Sequence, residues 1–177
     1  ARRTRAVCSD VPIVWGGVHP SLLPQQTLDH DLVDSVVVGP AENSVVEVAH
    51  LASRHGAGAI RGRIFDSNSK PQNARDRHRL DYSAFDWKSY VTPVVGQIRG
   101  LSHITSRGCP HRCSYCYTQR FYRDGWHGDD PERIATDLKL LADLGEQGVL
   151  LFDDNFFVNR KRVEDISHAL ISKKVNL

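Results

Sequence analysis

Leu101-Ser102-His103-Ile104-Thr105-Ser106, running into Arg107-Gly108-Cys109-Pro110-His111-Arg112-Cys113-Ser114-Tyr115-Cys116-Tyr117, decides the fold. The first run alternates in polarity and predicts a β-strand. Three cysteines at C-x3-C-x2-C spacing then leave its C-terminal end on a loop punctuated by Gly108 and Pro110. Beyond the loop, Asp130-Pro131 is a helix start, with Asp as N-cap and Pro at the first helical position. Ile134, Leu138 and Leu141 line one face of that helix, and Gly145 stops it. Gly148-Val149-Leu150-Leu151-Phe152 predicts the next strand, ending in Asp153-Asp154-Asn155. Asn159 caps a further helix with Val163, Ile166, Ala169 and Leu170 inward. Strand, loop, helix, strand, helix is the opening of a (β/α) barrel, which carries its chemistry on loops at the strand C-termini.

Upstream the alternation is similar. Val11-Pro12-Ile13-Val14-Trp15 predicts a buried strand that ends in the tight turn Gly16-Gly17. Ser21 is placed to cap a short helix through Leu28, and Val36-Val37-Val38 predicts a second strand, closed by Gly39-Pro40. Asn43 or Ser44 then caps a helix with an apolar face of Val45, Val46, Ala49 and Ala52, stopped by Gly56. Strands alternating with helices predict an α/β fold with a parallel sheet. From about residue 58 to 93 the pattern dissolves into a linker with one hairpin, whose first strand is 59–65; a turn cluster at 66–71 and a charged run at 75–79, read as a solvated face, follow. The expected organisation is therefore a domain over 1–57, a linker over 58–99 and a barrel opening over 100–177.

Bulk properties exclude several classes. A net charge of +2 with scattered Lys and Arg gives no basic stripe, so nucleic acid is not an expected partner. No apolar run is long enough to span a bilayer. Ser9, Asp10 and Pro12 interrupt the only apolar stretch near the basic start, which argues against a secretory signal. Four cysteines, three of them clustered, fit metal ligation in a reducing cytoplasm better than a disulfide framework. The sequence contains no methionine and stops at Lys174-Val175-Asn176-Leu177 as a new apolar run begins, so a fragment cut at both ends is expected.

Thiolates prefer soft metals, which leaves zinc, copper and iron–sulfur clusters as candidates. For zinc, His111 is an available fourth ligand, but it lies between Cys109 and Cys113 beside Pro110, where one tetrahedral centre does not easily collect all four. Structural zinc sites more often use two separated pairs. An iron–sulfur cluster accepts three nearby cysteines readily and keeps one iron open for an exogenous ligand.

The C-x3-C-x2-C run, with Tyr115 just before Cys116 and a barrel strand before Cys109, resembles the signature of the radical S-adenosylmethionine superfamily. The resemblance implies a [4Fe-4S] cluster on Cys109, Cys113 and Cys116. It implies that S-adenosylmethionine chelates the open iron and is reductively cleaved to a 5′-deoxyadenosyl radical, with Tyr115 against the adenine and an electron donor such as flavodoxin or ferredoxin. Phe152-Asp153-Asp154-Asn155-Phe156 resembles the version found in members that also bind cobalamin, where this strand end holds the ammonium of S-adenosylmethionine; the plainer reading is a turn toward the next helix. Val14-Trp15-Gly16-Gly17-Val18-His19-Pro20, with Val36-Val37-Val38-Gly39-Pro40-Ala41-Glu42, resembles the latter half of a cobalamin-binding Rossmann-like domain. There Gly16 and Gly17 let the backbone approach the nucleotide tail of cobalamin. Pro40 and Ala41 depart from the family pattern, so the stretch through Glu42 is given no binding role. His19 is expected as a turn residue, His103 as a partly buried strand residue, and Cys8 as structural.

The function implied is that of a cobalamin-dependent radical enzyme acting on a small-molecule substrate, with methyl transfer to an unactivated centre as the reaction and cyclisation or rearrangement also within the branch. Two alternatives stand beside it. A methylthiotransferase-like radical enzyme would need three more cysteines upstream, where only Cys8 is present. A zinc-stabilised interaction module would use His111 with the cysteines, but does not need a barrel scaffold.

Overall fold

A computed structural model of the chain describes residues 1–67, 81–96, 98–123 and 125–177, with the side chains of residues 43, 94, 95 and 98 left aside. The turn residues 68–71 and the charged run 75–79 lie outside the described residues. The chain forms two compact units, Ala1–Pro71 with His111–Gly125, and Gln72–Pro110 with Trp126–Leu177. The first unit continues past residue 57 and includes residues 111–125, which follow Cys109 in the cysteine loop. Both units are mixed α/β and contain parallel strand pairs.

In the first unit, α1 (Arg2–Val7) precedes β1 (Val14–Trp15), α2 (Val18–Leu22), α3 (Pro24–Leu28), β2 (Ser35–Val38), α4 (Glu42–His55) and β3 (Arg63–Asp66), and α5 (Thr118–Phe121) returns to it. The sheet is parallel in the order β1-β2-β3. β2 is buried along its whole length, as a central parallel strand with both faces covered must be. Val37, Val48, Ile60 and Phe65 make the core.

Three local expectations change here. The segment expected to open a hairpin supplies β3, which joins the first sheet beside β2. The single helix expected from Ser21 to Leu28 is two short ones, because Leu23 precedes Pro24 and is driven to φ −131°. α4 starts at Glu42 with Ala41 at its N-cap position, ahead of Asn43 and Ser44. Its inward stripe is Ser44, Val48, Leu51 and Ala52, whereas Val45 and Val46 are each 52% exposed and Ala49 is also exposed.

The second unit holds β4 (Thr92–Val95), β5 (Ile98–His103), β6 (Ser106–Arg107), β7 (His127–Gly128), α6 (Pro131–Asp143), β8 (Val149–Leu151) and α7 (Arg160–Ser172). β4 pairs antiparallel with β5, and β5 pairs parallel with β8 across the α6 connection. Both helix starts are as expected: the Asp130 carboxylate accepts from the amides of Glu132 and Arg133, and the Asn159 side chain accepts from the Arg162 amide. Leu101, Ile134, Leu138, Leu141 and Ile166 form the core. The expected 101–106 strand stops at His103, and Ser106-Arg107 pairs separately with His127-Gly128. This short antiparallel clasp closes the two ends of the cysteine-bearing excursion. Among the described residues, no helix is long and apolar enough to cross a membrane.

Candidate metal and cofactor site

The parallel pairing of β5 with β8 brings two strand ends side by side, and the polar residues beyond them knit together. Half-buried Asp153 accepts from the Thr105 amide (3.0 Å), the Thr105 hydroxyl (3.1 Å), the Ser106 hydroxyl (2.6 Å) and the Ser106 amide. Thr105 and Ser106 are essentially inaccessible to solvent, so this carboxylate satisfies buried donors that would otherwise be costly. The exposed Asp154 accepts from the Gly108 amide at 3.0 Å, one residue before the first cysteine. Asn155 follows, its Nδ2 standing 3.9 Å from Cys109 Sγ. The run Asp153-Asp154-Asn155 therefore holds the departure of the cysteine loop. Asp153 is committed to that framework, and Asp154 is the acid that faces solvent.

The three cysteines fall on either side of the division between units, Cys109 in the second and Cys113 and Cys116 in the first. Cys113 is exposed, Cys109 and Cys116 are half-buried, and none is in a disulfide. The Cys116 amide donates to the Cys113 carbonyl at 3.0 Å, and Cys116 Sγ lies 3.1 Å from the hydroxyl of buried Thr118. Tyr115 is 90% exposed. The negative charge of the neighbouring Cys113, together with a hydrogen bond to it, pushes the Tyr115 phenol above its ordinary value. His111 is exposed, and its carbonyl accepts from Gln119 at 2.7 Å. Among the described residues, no group of three or more His, Cys, Asp or Glu side chains is gathered into a metal-holding set. What fits an iron–sulfur cluster is the chemistry of the donors, three sulfurs on one loop outside any disulfide, and not a preformed cage.

In the first unit, Gly16 approaches β2, where a Cβ would stand 3.7 Å from the Val37 carbonyl oxygen. Gly17 has φ +96°, a conformation that costs other residues, and a Cβ there would meet nothing within 4 Å. One side of the glycine turn is thus packed and the other open, as a backbone approached by a ligand would be. Buried Ser21 braces the turn: its hydroxyl donates to the Gly17 carbonyl (2.6 Å) and accepts from the Gly39 amide (2.9 Å). His19 lies exposed within α2, not in a turn, and Cys8 is exposed at the end of α1, so a structural role for that thiol has no burial behind it.

His103 ends β5 and is buried, more deeply than the partial burial expected, and its Nδ1 has no hydrogen-bond partner among the described residues. Burial lowers its pKa, partly opposed by Asp137, Asp129 and Asp153. The folded state therefore keeps a neutral imidazole, while the unfolded chain takes up a proton near pH ~6.5. Stability is complete above that pH and falls as pH drops through it toward the lower folded value. Thermal midpoints measured from about pH 7.5 down to about pH 5.5 should decline, and His103→Asn should flatten that slope. An unchanged slope in the variant would exclude His103 as its source.

Sequence reasoning missed Arg162, Thr105 and Ser106. Arg162 is 8% exposed, and it stands one helical turn before Ile166, on the inward stripe of α7. A charged residue in an apolar stripe was the available signal. Arg162 also lines a cavity of about 500 Å³ with Trp126, His127, Asp129, Asn159 and Lys161.

Residues 103–176 match the model of the Radical SAM superfamily. An uncharacterized methyltransferase of Pyrococcus horikoshii is 27% identical over 94% of this chain and 38% of its own length. The anaerobic magnesium-protoporphyrin IX monomethyl ester cyclase of Rubrivivax gelatinosus is 22% identical over 98% of this chain and 34% of its own length. The hopanoid C-2 methylase of Rhodopseudomonas palustris is 27% identical over 94% of this chain and 30% of its own. The chain spans about a third of the length of these curated relatives. No solved structure matches it.

Proposed function

We propose, from the premise that residues 103–176 form a radical S-adenosylmethionine domain, that the chain is part of a cobalamin-dependent radical enzyme whose reaction is methyl transfer to an unactivated centre of a small molecule. Cys109, Cys113 and Cys116 would hold a [4Fe-4S] cluster. The observation that carries this reading is the hold of Asp154, just past the end of β8, on the Gly108 amide where the cysteine loop leaves β6. When bound, the cluster supplies the electron that reductively cleaves S-adenosylmethionine.

The chain's own residues have separate tasks. Asp153 holds the strand end, and Asp154, with a solvent-facing carboxylate, is the acid suited to the ammonium of S-adenosylmethionine. Tyr115 offers an exposed ring for the adenine. The open side of Gly17, on a parallel α/β sheet read as the latter half of a cobalamin-binding Rossmann-like domain, suits the nucleotide tail of cobalamin. The second unit is read as the first β/α units of a barrel. Methylase names among the relatives support methyl transfer. Cyclisation is the second reading, supported by the cyclases among them. A small reducing protein such as flavodoxin or ferredoxin would deliver the electron, in a reducing cytoplasm.

Anaerobic reconstitution with iron and sulfide, then addition of S-adenosylmethionine and dithionite, tests the reading. Brown protein with about four irons per chain that releases 5′-deoxyadenosine is expected. Colourless protein holding one zinc would overturn it in favour of an interaction module.

A further inference from the structure

We propose that Arg162 is a positioning residue for the cysteine loop, acting on Cys109 through Thr105, Asp153 and Ser106. The inference rests on the cluster reading above only for its meaning in catalysis; the contacts stand by themselves.

A guanidinium is expensive to bury unless its donors are satisfied in fixed geometry. The neighbours of Arg162 on α7 avoid that cost: Arg160 pairs with Glu164 and Lys161 with Asp165, both at the surface. Arg162 instead turns inward. Its Nη2 donates to the Thr105 carbonyl (2.5 Å) and hydroxyl (3.0 Å), and its Nε donates to the Asp129 carbonyl (3.3 Å). The rings of Trp126 and Phe156 flank the group at 5.4 and 5.8 Å.

The Thr105 hydroxyl sets the direction of the network. It accepts from Arg162, which has no acceptor of its own, so its single proton is turned to Asp153. Asp153 then gathers both donors of Ser106. Three residues on is Cys109, with Gly108 tied to Asp154 on the way. The strand end that launches the first ligand is thereby held from α7 on one side and from the end of β8 on the other. Gly128 makes room for the arrangement, since a Cβ there would stand 2.6 Å from Arg162 Nε and 2.7 Å from Trp126 Cη2.

The test uses the full chain, metal-free and reduced, and reads the alkylation rate of each cysteine with iodoacetamide by mass spectrometry. In Arg162→Gln and in Thr105→Val, Cys109 should react about fivefold faster, the factor that ~1 kcal/mol of lost hydrogen bonding gives to an opened loop. Cys113 and Cys116, which pack with the first unit, should keep their rates, and Arg162→Lys should restore part of the protection. Thr105→Val preserves volume and both backbone contacts, so it decides the matter should Arg162→Gln not fold. Wild-type rates at Cys109 in the folded Thr105→Val variant would overturn the proposal, as would equal acceleration of all three cysteines. Reconstituted wild-type protein without iron would instead overturn the cluster reading and leave these rates as the measure of the positioning role.

Discussion

Cys113→Ala is expected to reduce the iron of the reconstituted chain from about four per molecule to less than one. The size of the effect follows from ligand count. If Cys109, Cys113 and Cys116 hold a cluster as proposed, with one iron left for an exogenous ligand, loss of one sulfur leaves a two-sulfur clamp with no replacement thiol on the loop. Cys113 is the exposed member of the set, so its removal leaves no cavity and no unpaired buried group. The fold should survive, and a melt unchanged from wild type would show that lost iron is a ligand effect. Cys8→Ala is the matched control, a second exposed thiol far along the chain just past α1, and should leave the iron unchanged. Iron content in Cys113→Ala equal to wild type would remove Cys113 from the ligand set.

The largest expected effect on stability is at Gly100→Ala. Gly100 lies in β5 against Gly148, just ahead of the Leu101–Val149 pair that aligns β5 with β8. A Cβ at Gly100 would overlap the Gly148 carbonyl oxygen, with its carbon at 2.5 Å and its Cα at 3.2 Å. The obstructing atoms are backbone, so no rotamer change relieves the overlap, and the two strands would have to separate. A loss of about 3 kcal/mol or more is expected, at the upper end of overpacking costs. Because this pair positions Asp153 and Asp154 beside the cysteine loop, the variant should also load less iron. Gly58→Ala, where a Cβ meets nothing within 4 Å, is the near-neutral comparison. A Gly100→Ala melt within about 2 °C of wild type would contradict the close approach of the two strands.

Where a signal is local, the chain is easily read. Asp130-Pro131, the stripe of Ile134, Leu138 and Leu141, and Gly145 at φ +92° specify α6 from start to stop within one segment. The α/β class likewise follows from elements that each carry their own pattern. Non-local contacts are what the sequence hides. The segment 59–65 reads as a strand, but its partner is not legible: β3 (Arg63–Asp66), with a single buried side chain, Phe65, pairs with β2 and not with a hairpin neighbour. In α4, Val45 and Val46 look like the core face by hydrophobicity, but the sheet receives Val48 and Leu51 instead, a choice set by how the helix lands. The C-x3-C-x2-C spacing of Cys109, Cys113 and Cys116 is visible in the sequence by itself. The residues that hold their loop are not, because Thr105, Asp153 and Arg162 lie far apart in sequence and meet only when β5, β8 and α7 have packed.

The clasp of Ser106-Arg107 on His127-Gly128 has an evolutionary corollary. To the second unit, everything between Arg107 and His127 is a single long hairpin loop whose ends are already fastened. The entropy of closing such a loop grows only logarithmically, by ~0.6 kcal/mol for each doubling of length. A change in the length of the excursion therefore costs the second unit little in loop closure, while the strands beneath it stay the same. A fold joined this way can change what its cysteine loop meets without relearning how to fold.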